Sequence, residues 1–304
     1  MQIETVRIRS LGELLDYVTP DEPDPVTGRR RDSGVYRGVG DSRWPMLTSL
    51  DRLGGVHPPH TKCGLEEHVL RNFIRYARPY VRTEATNAWE LLATAQHHGV
   101  PTRLLDWTYS PMVAAHFATL GRREASAPPA ERPDRVADRV AQDRTAAKPA
   151  DEGGAAQGEA PARAGTDRAI WRLDWQRVHR AFGLPELAML TEDLDHLRGE
   201  ACFTPWRLMA HAADVAPFAC LFEPPTLDAR IAAQSGVFTL TSDAGHAFDE
   251  FLDAHGIADA LTCFVIEAGD VERVRDQLDL ATIDERRLFP DLDGVATRLR
   301  RYYS

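Results

Sequence analysis

The stretch from Gly121 to about Asp167 sets the first limit on what this chain can fold into. It is rich in Ala, Pro, Gly, Glu, Asp and Arg and holds hardly any large apolar side chains. Such a segment cannot bury enough apolar surface to offset its ordering, which costs roughly 1–2 kcal/mol of backbone entropy per residue. Strand-like sequence resumes directly after it, at Ala169-Ile170-Trp171-Arg172-Leu173. The stretch therefore reads as a disordered surface insertion inside one folding unit, not as a boundary between two. Residues 1–33 read as an N-terminal extension and 34–301 as a single domain, interrupted at about 121–167.

The remaining segments mix helical and extended patterns. Gly34 to Val39, Gly236 to Leu240 and Leu261 to Ile266 are rich in β-formers and read as strands. Gln2 to Arg9 alternates weakly and leads into a short helix with Ser10 as its cap and Glu13 three residues on. Val69, Phe73, Ile74, Ala77 and Tyr80 have helical spacing, as do Trp89, Leu92, Ala93 and Gln96. Gly99 and Pro101 end the second of these helices, and Ser110-Pro111 opens the next. Further helices are expected at Ala244 to Ala254, Gly269 to Leu278 and Asp293 to Arg301. No regular βαβ rhythm links these elements. The pattern predicts an α+β fold, with a mixed or antiparallel sheet core flanked by helices.

Composition excludes some functions. The formal net charge is −10 at pH 7. This disfavours non-specific nucleic-acid binding, which needs a basic surface, although a local basic pocket is compatible with it. The four cysteines, Cys63, Cys202, Cys220 and Cys263, form no CxxC pair and read as reduced thiols. The N-terminus has no apolar signal core, and no apolar run approaches the roughly 18 residues of a membrane span. The expected setting is cytoplasmic, with no membrane partner. No GxxxxGK[ST] or GxSxG motif occurs, so P-loop and α/β-hydrolase chemistry is not supported.

The run from Gln96 to Thr108 carries the densest chemistry. It sets His97, His98, Thr102, Arg103, Asp106 and Trp107 in what reads as a polar turn between helices. Adjacent histidines on a helix end point about 100° apart, and the i, i+4 spacing of metal-binding helices is absent, so no metal is expected. One imidazole can cap helix carbonyls while the other faces a cleft as a general base. Arg103 and Asp106 are placed to pair and stiffen the turn. Trp107 is either core or an aromatic face for stacking. On the earlier strand, Tyr36-Arg37-Gly38 sets an arginine beside a glycine. The arginine either pairs with an acidic neighbour or receives a phosphate or carboxylate in bidentate fashion, and the glycine permits close backbone approach. Asp291-Leu292-Asp293-Gly294 lacks the later ligands of a calcium loop and reads as a helix cap.

Three stretches together resemble the FRG domain family, named for its Phe/Tyr-Arg-Gly motif. They are Tyr36-Arg37-Gly38 with Trp44, Leu47, Ser49, Leu50 and Arg52; the run from Gln96 through Ser110-Pro111 to Ala118; and a C-terminal set, Arg230-Ile231, Gln234 to Phe238 and Leu288 to Gly294. The resemblance covers about Gly34 to Arg301. It implies a bacterial or phage-related setting and a role in conflict or defence, but no particular reaction. The Tyr36-Arg37-Gly38 strand is also similar to the first motif of arginine-type ADP-ribosyltransferases. That similarity implies NAD, held by Arg37. Thr102 or Thr108-Tyr109-Ser110 would be the hydroxyl-bearing second motif, and Gln234, just before a strand, the third. No Glu-x-Glu occurs and no Gln-x-Glu stands at a strand, and an amide at 234 can orient a ribose hydroxyl but cannot carry charge.

The expected site therefore has His97, His98 and Gln234 in catalytic roles. Tyr36, Arg37, Gly38, Gln96, Thr102, Arg103, Asp106 and Trp107 contact a small nucleotide-like or phosphorylated ligand. Whether the site turns over is open at this level. A non-catalytic sensor or interaction module with a protein partner is one alternative. A nuclease built on His97, His98 and Asp106 is another, disfavoured by the acidic balance.

Overall fold

The helices begin where short polar side chains can satisfy the orphan N–H groups of a first turn. Ser10, Thr61, Asn87, Ser110, Asp174 and Asp291 each accept a backbone N–H two or three residues ahead. Gly99, at φ 78°, closes the helix that starts after Asn87, in the left-handed conformation that glycine adopts without strain.

The computed structural model describes residues 3–25, 27–54, 56–80, 87–120, 165–199, 203–225 and 229–303. The chain runs β1 (Glu4–Ile8), α1 (Leu11–Val18), β2 (Val35–Val39), α2 (Lys62–Ala77), α3 (Ala88–His97), β3 (Leu105–Thr108) and α4 (Pro111–Thr119). It continues with β4 (Arg168–Leu173), α5 (Trp175–Ala181), β5 (Met189–Leu190), α6 (Thr191–Leu194), α7 (Pro205–Ala210), β6 (Ala219–Glu223), α8 (Ala229–Gln234) and β7 (Gly236–Thr241). The last elements are α9 (Phe248–Ala254), β8 (Leu261–Ile266), α10 (Val271–Leu280), α11 (Glu285–Leu288) and α12 (Leu292–Tyr302).

Among the described residues the strands form one eight-stranded mixed sheet, in the order β1-β8-β4-β2-β3-β7-β6-β5. The β1–β8 and β5–β6 pairs are parallel and the other pairs antiparallel. This is the α+β architecture read from the pattern. The stretch ahead of residue 34 belongs to it: β1 adds an edge strand, and Leu11, Leu14 and Val18 of α1 are buried. Almost all of the expected insertion lies at 121–164, outside the described residues. By Asp167 the chain is tied into the fold, its carbonyl accepting from the Ser42 N–H at 2.9 Å and its carboxylate from the Ala268 N–H at 2.9 Å. Among the described residues no helix is long and apolar enough to cross a membrane.

Strand alternation divides the core. One sheet face, with Val35, Leu105, Trp107, Trp171, Val237 and Cys263, packs in a single cluster with Trp175 and Val178 of α5 and Phe248, Phe251 and Leu252 of α9. The other face carries two separate clusters. Tyr36, Ile170 and Phe264 pack with α1, α4 and α10, whereas Cys220, Phe222, Phe238 and Leu240 pack with α2, α3, α6 and α7. On this face β3 belongs to neither cluster, and it presents Asp106 and Thr108 there.

One expectation is overturned. The second half of the polar run is not a turn but β3, a central strand. Its four residues are too few for a two-residue period to stand out, and sheet pairing on both sides, not local propensity, makes them a strand.

Candidate functional site

The site forms where β2 and β3 separate. The two strands are paired only through Tyr36 and Thr108. One residue further along β2, Arg37 turns its side chain to the neighbouring strand, and Nη1 donates to the Asp106 carbonyl at 2.7 Å. The same nitrogen lies 3.9 Å from the Asp106 carboxylate. The Arg37 side chain is 18% exposed and that of Asp106 is 59% exposed, unusual for a carboxylate on a central strand. Neither apolar cluster on that face includes Asp106.

Gln96, in the last turn of α3, fixes the carboxylate. Its Nε2 donates to Asp106 Oδ2 at 2.9 Å, and its Oε1 accepts from the Thr102 hydroxyl at 2.7 Å. Because a hydroxyl donates to Oε1, the amide is oriented with its N–H groups toward Asp106. Ser49 ties the loop after β2 to this cluster. Its hydroxyl accepts from the Thr102 N–H at 3.1 Å and donates to the Thr102 carbonyl at 3.2 Å. Thr102 is buried and its Oγ1 also accepts from the Leu104 N–H at 3.1 Å.

The electrostatics leave Arg37 underpaired. Burial pulls its guanidinium below the ordinary arginine range, and the charge of Arg52 acts in the same direction against the opposing pull of Asp106. Its Nε is buried and has no hydrogen-bond partner among the described residues. The arrangement offers a guanidinium toward an anion, with an oriented carboxylate beside it that can accept ligand hydroxyls.

Arg103 has a different place from the one read in sequence. It pairs not with Asp106 but with Glu66 of α2, Nε to Oε2 at 2.6 Å, and both side chains are almost wholly buried. It also donates to the Ser242 carbonyl at 3.1 Å, while its own N–H reaches Glu66 Oε1 at 2.9 Å. Burial opposes its charge, but Glu66 and the Cys63 sulfur outweigh that and raise it above the ordinary range. Arg103 thus bolts α2 to β3 and β7. Glu66 had no sequence signal, since a lone Glu in a charged helix looks like a solvated one.

Tyr36 and Trp107 offer no open ring face. Tyr36 is 1% exposed with its hydroxyl bonded to Asp32, which in turn pairs with Arg172. Trp107 is 3% exposed, donates Nε1 to Thr239 Oγ1 at 2.9 Å and lies edge-on to Phe248. Stacking by either ring is therefore replaced by a core role. Gly38 is a packing residue: α4 lies directly on it, so that a Cβ would meet the Ala114 carbonyl oxygen at 1.9 Å.

His97 and His98 end α3, one residue beyond Gln96, with their rings edge-to-face at 5.2 Å and His98 exposed. Gln234 lies at the other end of β3. Its Nε2 donates to the Leu288 carbonyl at 3.0 Å and its carbonyl accepts from the Thr108 hydroxyl at 2.7 Å. The structure thus brings together Arg37, Gln96, Thr102 and Asp106, adds Ser49 and Arg52, and keeps Gln234 with Thr108. Both added residues lie between β2 and α2 and were quoted only for the family resemblance, with no chemical role assigned to them.

Residues 32–127 match the family model described as FRG domain, so this stretch carries an FRG domain. The match spans β2, α2, α3, β3 and α4 and every residue of the Arg37 cluster, and it ends ahead of Gln234. No curated protein and no solved structure matches the chain.

Proposed function

We propose that the FRG domain uses the Arg37 cluster to bind a nucleotide-like ligand, and that the ligand is NAD, handled as an ADP-ribosyltransferase handles it. What supports this reading is the alignment of three elements on neighbouring strands. The Arg37 strand, the Thr108-Tyr109-Ser110 segment that leads into α4, and Gln234, the last residue of α8 and two before β7, lie side by side. Tyr36 pairs with Thr108 and Thr108 with Gly236, while the Thr108 hydroxyl holds the Gln234 carbonyl at 2.7 Å. In this reading Arg37 takes a phosphate, Asp106 accepts ribose hydroxyls, His97 or His98 orients that ribose, and Gln234 addresses the ribose that bears nicotinamide.

The test is incubation with NAD, with nicotinamide release followed by mass spectrometry and binding by calorimetry. Arg37→Ala is expected to weaken binding at least tenfold, the worth of about 1.4 kcal/mol. Folded wild-type protein that neither binds nor cleaves NAD at millimolar concentration would overturn the reading. The amide of Gln234 favours a second version. Without a carboxylate to balance the positive charge that develops as nicotinamide leaves, the site can bind and not turn over, as a sensor in a defence system would. Gln234→Glu separates the two, since only a catalytically competent frame gains nicotinamide release from it.

A further inference from the structure

The outer side of α2 carries a feature the Arg37 site does not use. Leu70 is buried, and Phe73 and Ile74 pack on the α3 and α7 cluster. Arg71, Arg75 and Arg78 follow at i, i+4 and i+7, a single stripe. At about 1.5 Å of rise per residue the stripe spans roughly 10 Å. Together with Ile74 and with Trp206 of α7, these arginines line an open cavity of about 400 Å³. Arg71 stands over the Trp206 ring at 5.0 Å and donates to Glu67 at 2.7 Å. Among the described residues no carboxylate lies within ion-pair distance of Arg75 or Arg78, in a chain whose net charge is −10.

Like charges one helical turn apart repel, and an acidic protein has carboxylates in excess to neutralise them. Two adjacent guanidiniums with no such partner among the described residues, beside an indole already engaged by a third, form a surface suited to successive phosphates and a planar ring. The volume falls within the range of small-ligand sites.

We propose that this cavity is a second binding site, for a phosphate ester bearing a planar base. Arg75 and Arg78 take the phosphates, and the base packs against Trp206 and the plane of Arg71. The same chemistry is offered by a free nucleoside triphosphate and by a unit of a single-stranded nucleic acid.

Two probes distinguish these sources in full-length protein: ATP, and a fluorescently labelled thymidine octanucleotide, each titrated at several salt concentrations. The wild type is expected to bind at least one of them with Kd below about 1 mM. The Arg75→Ala/Arg78→Ala double variant, whose changes are confined to exposed side chains, is expected to bind at least about tenfold more weakly and with a shallower salt dependence. The binding that the double variant loses is expected to persist in Arg37→Ala, whatever that variant loses at its own cleft, which separates the two sites. Tighter binding of ATP assigns a free nucleotide, and tighter binding of the octanucleotide a single strand. The proposal is overturned if folded wild type binds neither probe, if the double variant binds as tightly as wild type, or if Arg37→Ala abolishes the signal.

Discussion

A Cβ on Gly38 would lie 1.9 Å from the Ala114 carbonyl oxygen and 2.5 Å from the Ala118 nitrogen, both backbone atoms of α4. Neither can swing aside as a side-chain tip would. The glycine of the Tyr36-Arg37-Gly38 motif thus lets a helix lie directly on the strand that carries Arg37. Gly38→Ala is expected to destabilise the protein by about 3 kcal/mol or more, the upper range of overpacking costs. Urea denaturation checks this, and a loss below about 1 kcal/mol would mean that α4 retreats from the sheet at little cost. The two arginines near β3 contrast in the same local terms. Arg103 is enclosed with its carboxylate, while Arg37 holds a main-chain carbonyl and lies 3.9 Å from the Asp106 carboxylate.

Charge, more than apolar burial, fastens α12. Arg301 reaches Asp279 at 2.6 Å and Glu285 at 2.8 Å, and Arg298 reaches Asp284 at 3.3 Å. Gly294 fits against the Phe289 carbonyl oxygen, and its N–H is capped by Asp291 at 2.8 Å. Meanwhile Leu292, Leu299 and Tyr302 remain exposed. Removing one cation from a partly buried network leaves carboxylates underpaired. Arg301→Met is therefore expected to raise amide exchange across Leu292–Tyr302 at least about tenfold, with the sheet unaffected. Unchanged protection in the helix would show that the ion pairs contribute nothing to its docking.

Across the whole molecule, His116 links α4 to the C-terminal helices. It is fully buried, with Nδ1 3.1 Å from Arg275 of α10 and 3.3 Å from the Ile283 carbonyl. Burial, aided by the charge of Arg275, pushes its pKa down to about 4. The unfolded chain binds a proton at about pH 6.5, and the folded one resists it. Stability from this group is therefore complete above about pH 6.5 and lost as pH falls toward 4, by about 3 kcal/mol. Measured as thermal or urea stability against pH, that part of the decline is expected to vanish in His116→Gln, and a variant that keeps the full slope would assign it to the carboxylates. What local sequence determined was local in cause. β-rich runs specified β2, β7 and β8, helical spacing and polar caps specified α2, α3, α4 and α12, and the apolar-poor stretch after Gly121 was visible as a break in the folding pattern. Neighbours within a few residues suffice for those signals. Gln96, Thr102 and Asp106 stood out in sequence because polar residues were concentrated beyond what a turn requires, and Arg37 because it sits beside a glycine on a strand. Tertiary structure alone decided that Leu105–Thr108 is a central strand, that Tyr36 and Trp107 are closed into the core, and that Arg103 belongs to Glu66. It alone left Asp106 open. Whether a strand residue is covered depends on which helices, distant in sequence, pack over it, and neither apolar cluster on that face takes in Asp106.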